Sequence, residues 1–194
     1  KNIVGGKGTN NIMFLNHAAY LSCDFGIVVV DLIRHEIKDT YYIGSGGSSV
    51  IVHQFAYDGS KFYAAAETGL YFADANNPTL FNYEVWTKDT TMYQLANPNK
   101  AFSGVGSFAG KLFAVYNDTM KLVSDGVSWS DFKPMDHYSN SRIDVLNNNL
   151  MISNYFSVSM HDLTLNRVAL FYYDSYDDAD PQFAYYDEQG FYWI

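Results

Sequence analysis

One sheet-sized motif recurs along the chain at intervals of roughly 40 to 50 residues, the period of four-stranded propeller blades. Each copy holds an apolar strand, a tight turn, a second apolar strand, another turn and a third strand. In the second copy the pattern predicts strands over residues 50–57, 61–66, 70–73 and 80–86, with turns at Asp58-Gly59-Ser60 and Glu67-Thr68-Gly69. Gly, Asp and Asn tolerate the positive φ that short hairpin turns require. Laying the copies on one another aligns Tyr20, Tyr63, Phe113, Met151 and Trp193, with Leu21, Ala64, Ala114, Ile152 and Ile194 as their neighbours. Lys61-Phe62-Tyr63-Ala64 matches Lys111-Leu112-Phe113-Ala114 in the same register. A four-stranded sheet with two apolar faces cannot bury either alone, so such sheets stack radially. A β-sandwich has similar turn spacing, but it does not require one position to recur.

The expected fold is therefore all-β: a β-propeller fragment of about four four-stranded antiparallel blades plus part of a fifth. The blades fall near residues 11–44, 50–87, 101–133 and 141–174, and the next begins over 182–194. Four blades with loose strands at both ends do not close a ring. The chain reads as an arc whose missing blades lie before Lys1 and after Ile194, and its exposed edges invite pairing with another copy. Residues 90–97 could form one helical turn, but Pro98 and the flanking Asn residues favour an inter-blade loop.

Composition agrees and narrows the partners. Tyr and Phe contribute 17 and 14 residues, which suits half-buried pleated surfaces better than helices. Only 12 Lys and Arg offset 21 Asp and Glu, leaving a net charge of −9. A nucleic-acid partner needs clustered basic residues, and an anionic membrane surface would repel this chain. No apolar run reaches the roughly 18 residues of a membrane-spanning helix, and no export signal precedes the first blade. Cys23 is the sole cysteine, which excludes an intrachain disulfide and a cysteine-based zinc site.

The stretch from Tyr20-Leu21-Ser22-Cys23-Asp24-Phe25-Gly26 to Asp31, the run from Glu36 through Tyr41-Tyr42-Ile43-Gly44, and then Ala64-Ala65-Ala66-Glu67-Thr68-Gly69-Leu70-Tyr71 with Trp86 carry a resemblance. They resemble the N-terminal β-propeller of PorZ-type envelope proteins and, more distantly, the two-component-regulator propellers of hybrid sensor kinases. The match is close over residues 12–86 and looser, though in register, through Ile194. It departs from the blade pattern at Thr119 and Ser157, where the second turn lacks its Gly. The resemblance implies a large exported protein with blades first and a small C-terminal β-domain. It further implies a role at the cell envelope, in type IX secretion or in sensing polysaccharide fragments, with no catalytic motif to carry over.

The residues themselves offer little chemistry. His17, His35, His53, His137 and His161 lie far apart, with no HxH, HxxxH or HExxH spacing, and read as turn or surface residues. Gly104-Val105-Gly106-Ser107-Phe108-Ala109 has the letters of a dinucleotide fingerprint, but it leads into another strand where a helix is needed. Gly44 to Gly47 lacks a following GK[ST] and reads as an inter-blade loop. No GxSxG elbow exists, and Cys23 reads as a structural thiol inside a strand. The acidic cluster Asp174, Asp177, Asp178 and Asp180 lacks the EF-hand spacing and reads first as a solvated loop. Beside it stand Tyr172, Tyr173, Tyr176, Tyr185 and Tyr186, whose rings could stack on sugars. Tyr173, Tyr176, Asp177, Asp178 and Asp180 are accordingly the candidate ligand-binding residues.

The expected function is a non-catalytic interaction or ligand-sensing module of a periplasmic or cell-surface protein. It needs no cofactor or metal, and its partner is an envelope protein or a glycan. The rival readings are a glycan lyase or hydrolase on a propeller scaffold, since paired carboxylates can come from any two loops, and a component of type IX secretion.

Overall fold

The structure is a computed structural model that describes residues 6–117, 120–132, 142–146, 148–153, 157–172, 185–186 and 192–193. The described residues form four four-stranded antiparallel sheets, each following chain order from first to fourth strand. The first contains β1 (Thr9–Leu15), β2 (Ala18–Cys23), β3 (Gly26–Asp31) and β4 (Glu36–Tyr41). The second contains β5 (Val52–Tyr57), β6 (Lys61–Ala66), β7 (Gly69–Asp74) and β8 (Thr87–Lys88). The third runs through β9 (Phe102–Phe108), β10 (Lys111–Tyr116), β11 (Met120–Ser124) and β12 (Trp129–Asp131). The fourth runs through β13 (Arg142–Leu146), β14 (Asn149–Ser153), β15 (Ser157–His161) and β16 (Arg167–Tyr172). A short antiparallel pair, β17 (Tyr185–Tyr186) and β18 (Tyr192–Trp193), follows.

Local chemistry sets the turns. Asn16 and His17 both take positive φ in the β1–β2 hairpin, and Asp58 caps the next one by accepting from the N–H groups of Ser60 and Lys61. Gly26 and Gly69 occupy matching places after the second strand, each at φ 143°. A Cβ there would stand 2.2 Å from the Tyr41 carbonyl oxygen and 2.6 Å from that of Pro98, so no other residue fits.

The recurring position is real. Tyr20, Tyr63, Phe113 and Met151 are each the third residue of their sheet's second strand, paired with Val29, Phe72, Val123 and Met160 of the third. Tyr20 packs on Phe55 and Phe62 of the second sheet, with ring centroids 5.4 and 5.1 Å away. Tyr63 joins the core shared with the third sheet, and Phe113 the core shared with the fourth, beside Ile143, Leu150 and Ile152. Each sheet thus covers one flank of the next.

The first strands of neighbouring sheets lie side by side: β1 against β5, β5 against β9, β9 against β13. Three of them carry a bulge one residue in, at Asn10, His53 and Ser103. A shared bond closes each: the N–H groups of Asp24, Glu67 and Asn117 donate to the carbonyls of Gly8, Ile51 and Ala101. Side chains then bind sheet to sheet. Asn10 Nδ2 donates to the Val52 carbonyl at 2.9 Å. Buried Gln54 accepts from the Val105 N–H at 3.1 Å and donates to the Ile143 carbonyl, so one amide joins three sheets.

Gly104 and Gly106 take part in this packing. Both lie within β9, and a Cβ would stand 3.2 Å from Gln54 Oε1 at Gly104 and 2.6 Å from Ile143 Cγ2 at Gly106. Their spacing reflects close strand approach, with no nucleotide loop.

One strand differs from expectation. Residues 80–86 were expected as the fourth strand of the second sheet, yet Tyr83–Val85 form a 3-10 turn and the strand is Thr87–Lys88. Asn82 accepts from the Glu84 N–H, and the Trp86 indole N–H donates to the Leu80 carbonyl at 2.8 Å. Those local bonds replace a ladder while Leu80 and Trp86 still enter the core. Residues 90–97 form successive turns around buried Met92 and Ala96, as a loop.

The first sheet leaves its other flank open. Ile12, Phe55, Val105 and Ile143 share one register position, and the last three are 2%, 1% and 1% exposed while Ile12 is 48% exposed. Phe14 and Ile37, in line with Ala19 and Val30, are each 69% exposed on the same flank. Truncation therefore separates the two flanks. Phe55→Ala is expected to cost about 3–5 kcal/mol in urea denaturation of this chain, and Ile12→Ala less than about 1 kcal/mol. Equal costs would contradict the stacking order.

Candidate functional site

Where the second and third sheets diverge, a cleft of about 290 Å³ opens between them. One wall comes from β6 and β7, with Lys61, Tyr63 and Phe72; the other from β10 to β12, with Lys111, Leu112, Ser124 and Trp129. The hairpin residues Asp58, Gly110, Gly126 and Val127 also line it. Strand alternation aims these side chains, because residues two apart on a strand share a face. Lys61 and Tyr63 therefore stand together toward the cleft, and on the matching strand of the next sheet Leu112 takes the cleft side, because Lys111 shares the face of Phe113, which packs toward the fourth sheet.

A buried hydrogen bond ties the walls. The Trp129 indole N–H donates to Asp89 Oδ2 at 3.0 Å, linking β12 to the segment that leaves β8. Asp89 Oδ1 accepts from the Thr91 N–H at 2.9 Å and its hydroxyl at 2.6 Å. Asp58 Oδ2 accepts from the Tyr63 hydroxyl at 2.8 Å. Burial by itself would raise the Asp58 carboxyl, but the N–H groups of Lys61 and Ser60, with the Tyr63 and Ser60 hydroxyls, outweigh it and hold it below the usual carboxylate range. Burial first, and the Asp58 carboxylate second, push the Tyr63 hydroxyl well up, so it stays a donor at neutral pH. The Lys61 ammonium stands 4.8 Å from the Phe72 ring centroid, a cation–π contact that fixes the chain along the wall.

Tyr173, Tyr176, Asp177, Asp178 and Asp180 lie outside the described residues, as do Asp174 and His137. The remaining histidines are scattered. His17 and His35 sit exposed at positive φ in turns, and His53 occupies a bulge 3.0 Å from Glu67 Oε2. His161 is fully buried in β15 against Phe132, its ring 3.2 Å from the Ser159 hydroxyl. Desolvation lowers its pKa, so it packs as a neutral ring. Among the described residues no three His, Cys, Asp or Glu side chains gather as a metal site. Cys23 is buried in β2, and desolvation raises its thiol. Sequence reading placed Lys61 and Lys111 at one repeat position, which turns each toward the gap in front of its own sheet. The cleft with Asp58, Tyr63, Asp89 and Trp129 was missed because its walls come from two copies of the motif, and no single copy displays it.

Four sheets packed flank to flank, with their first strands side by side, define an arc of a β-propeller. Residues 1–87 match the family model of the N-terminal β-propeller domain of PorZ, of the type IX secretion system, so the resemblance read in the sequence holds over the first two blades. No curated protein matches the chain in sequence. Among solved structures it is similar to PorZ, described as an essential bacterial surface component of the type IX secretion system of Porphyromonas gingivalis. That match has a TM-score of 0.67 and 18% identity, over 85% of this chain and 21% of that one. It is also similar to the extracellular domain of a putative one-component system of B. thetaiotaomicron, with TM-score 0.62 and 11% identity over 95% of this chain and 25% of that one. Raptor of Chaetomium thermophilum gives TM-score 0.57 and 13% identity over 89% of this chain and 16% of that one. The chain thus spans a quarter or less of these proteins, and at such identities they share its fold.

The wall-to-wall bond can be tested directly. Trp129→Phe keeps the ring's bulk and removes the donor to Asp89, leaving a buried carboxylate oxygen short of a partner. Urea denaturation is expected to show a loss of about 1–3 kcal/mol; an unchanged midpoint would mean the bond does not hold the sheets together.

Proposed function

We infer that this chain is an arc of a larger β-propeller serving as a non-catalytic interaction module in an exported envelope protein of the type IX secretion machinery. The match of residues 1–87 to the PorZ propeller model carries this reading. The fold likeness to PorZ over 85% of the chain supports it. The blades divide near residues 11–44, 50–87, 101–133 and 141–174, and a further blade starts over 182–194. The protein works in the periplasm or at the cell surface, and its partners are an envelope protein or a glycan.

The open flank of the first sheet supports the arc. Ile12 is exposed at the register position whose counterparts Phe55, Val105 and Ile143 the preceding blade covers. Its occupant in the intact ring is another four-stranded blade, and alone the arc pairs with a second copy there. The aromatic and acidic residues Tyr173, Tyr176, Asp177, Asp178 and Asp180 are the proposed glycan contacts, with rings on the sugar face and carboxylates on hydroxyls.

An in-frame deletion of the codons for residues 1–194 in the native host tests the role. Secreted cargo is expected to stay inside the cell, while the purified chain releases no new reducing ends from envelope or dietary polysaccharides. Normal secretion by the deletion strain would contradict the secretion role, and polysaccharide cleavage would replace the module with an enzyme.

A further inference from the structure

The cleft between the second and third sheets opens where the repeat changes its filling. Ser107, Leu112, Ser124 and Trp129 form one cross-strand row on the third sheet, facing the second. The equivalent row of the second sheet, facing the first, holds Tyr57, Phe62 and Ala73, and the Tyr57 and Phe62 rings pack there with centroids 5.4 Å apart. On the fourth sheet, facing the third, the row holds Val145, Leu150 and His161, and fully buried His161 closes on Phe132. Ser107 thus stands where the neighbouring sheets carry Tyr57 and Val145, and Ser124 where the fourth carries His161. Small hydroxyls replace the side chains that fill the other two junctions.

Across the gap the second sheet presents Tyr63 and Phe72, themselves a register pair, with Lys61 on the same face. The polar atoms there work in both senses. The Tyr63 hydroxyl donates to Asp58 and the Thr91 hydroxyl to Asp89, so each oxygen keeps lone pairs with which to accept. Ser124 Oγ accepts from the Gly126 N–H at 3.1 Å, which leaves its own O–H to donate. The Lys61 ammonium lies over the Phe72 ring, and among the described residues it has no ion-pair partner. Its charge offsets one of the two carboxylates, Asp58 and Asp89, both held by bonds within the walls. The cleft therefore mixes donors and acceptors beside the apolar surface of Phe72, Leu112 and Trp129, and it keeps one net negative charge.

We propose that this cleft binds one pyranose ring of a neutral glycan. A sugar hydroxyl donates and accepts at once, so it can take a hydrogen bond from Lys61 or Ser124 and give one to Tyr63 or Thr91. The ring's C–H surface lies against Leu112 and Trp129. The volume of about 290 Å³ is at the lower end of the roughly 300–1,000 Å³ of small-molecule pockets, which suits a single ring. The net negative wall disfavours uronic acids and sugar phosphates through like-charge repulsion. The mouth is clear at two of its hairpins, since a Cβ placed on Gly110 or Gly126 meets nothing within 4 Å, and a longer glycan continues outward there. This inference rests on the glycan reading of the module and gives it a site apart from Tyr173 to Asp180.

The test uses the full chain labelled with nitrogen-15, following the indole N–H resonance of Trp129 during titration. The probes are the methyl glycosides of glucose, galactose, mannose and N-acetylglucosamine, with methyl glucuronide as the acidic control and cyclohexanol as a ring without the hydroxyl array. At least one neutral glycoside is expected to shift the resonance saturably at millimolar concentration, while the glucuronide and cyclohexanol leave it unmoved. Ser107→Tyr installs the residue that the second sheet carries at that place and is expected to abolish the shift by filling the gap. Lys61→Met keeps the aliphatic stem and is expected to weaken binding by about tenfold or more. The comparison of neutral and acidic glycosides in the unaltered chain keeps the test decisive if a variant fails to fold. Binding that survives both substitutions would put the sugar elsewhere on the chain, which overturns the cleft and leaves the glycan reading standing. The cleft is overturned too if no glycoside gives a saturable shift, or if the glucuronide or cyclohexanol matches the neutral sugars; the deletion strain tests the module independently of either result.

Discussion

Everything in this molecule depends on each sheet covering one flank of the next. A four-stranded sheet with apolar residues on both faces has nowhere to put either face in water, and burial of apolar area is the main favourable contribution to its folding. The contact is directional. The third residue of each second strand points forward, while the first and second strands of the next sheet present Phe55 and Phe62, Val105 and Leu112, or Ile143 and Leu150 to receive it. The Tyr20, Phe55 and Phe62 rings lie 5.1 to 5.4 Å apart, so the first junction is aromatic, while in the later ones Tyr63 and Phe113 meet aliphatic side chains of the next sheet's first two strands. Every junction needs room near the inner strands. Small residues provide it, most visibly Gly106 against Ile143.

Radial stacking also explains where a site can form. Flat flanks meet closely near the inner strands, where Gln54 joins three of them through one buried amide. Farther out along the second and third strands the sheets spread, and polar side chains can face each other across a gap. The bond from Trp129 to Asp89 marks where the second and third sheets remain joined there, and the cleft lies beside it. The cleft and the core thus share one geometric origin.

The repeat was legible because it is carried by turn chemistry and by an aromatic or long apolar residue at a fixed place on each second strand. Tyr20, Tyr63, Phe113 and Met151 could be aligned by eye, and the register follows from them. Residues 80–86 misled because alternating apolar residues can reach a core from a 3-10 turn as well as from a strand, and Asn82 decides between them locally. The bulges at Asn10, His53 and Ser103 left no mark in the sequence, since three dissimilar residues fill one backbone role. Gln54 was equally invisible: its partners are backbone groups far along the chain, and no pattern of residue types records them. The inter-blade cleft needs side chains from two copies of the motif, so no single copy could display it.

The most direct measurement of radial stacking is a cross-link between two inner strands that sequence alone would not place together. A Cβ at Gly106 would stand 3.6 Å from the Cβ of Ile143, inside the roughly 3.5–4.5 Å that a disulfide spans. Replacing both with cysteine also removes the Ile143 methyl that crowds the glycine. Mild oxidation of the Gly106→Cys/Ile143→Cys chain is predicted to give a monomeric disulfide, seen as faster migration on a non-reducing gel and one linked peptide by mass spectrometry. Free thiols, or disulfides only between separate molecules, would mean that the third and fourth sheets do not lie flank to flank.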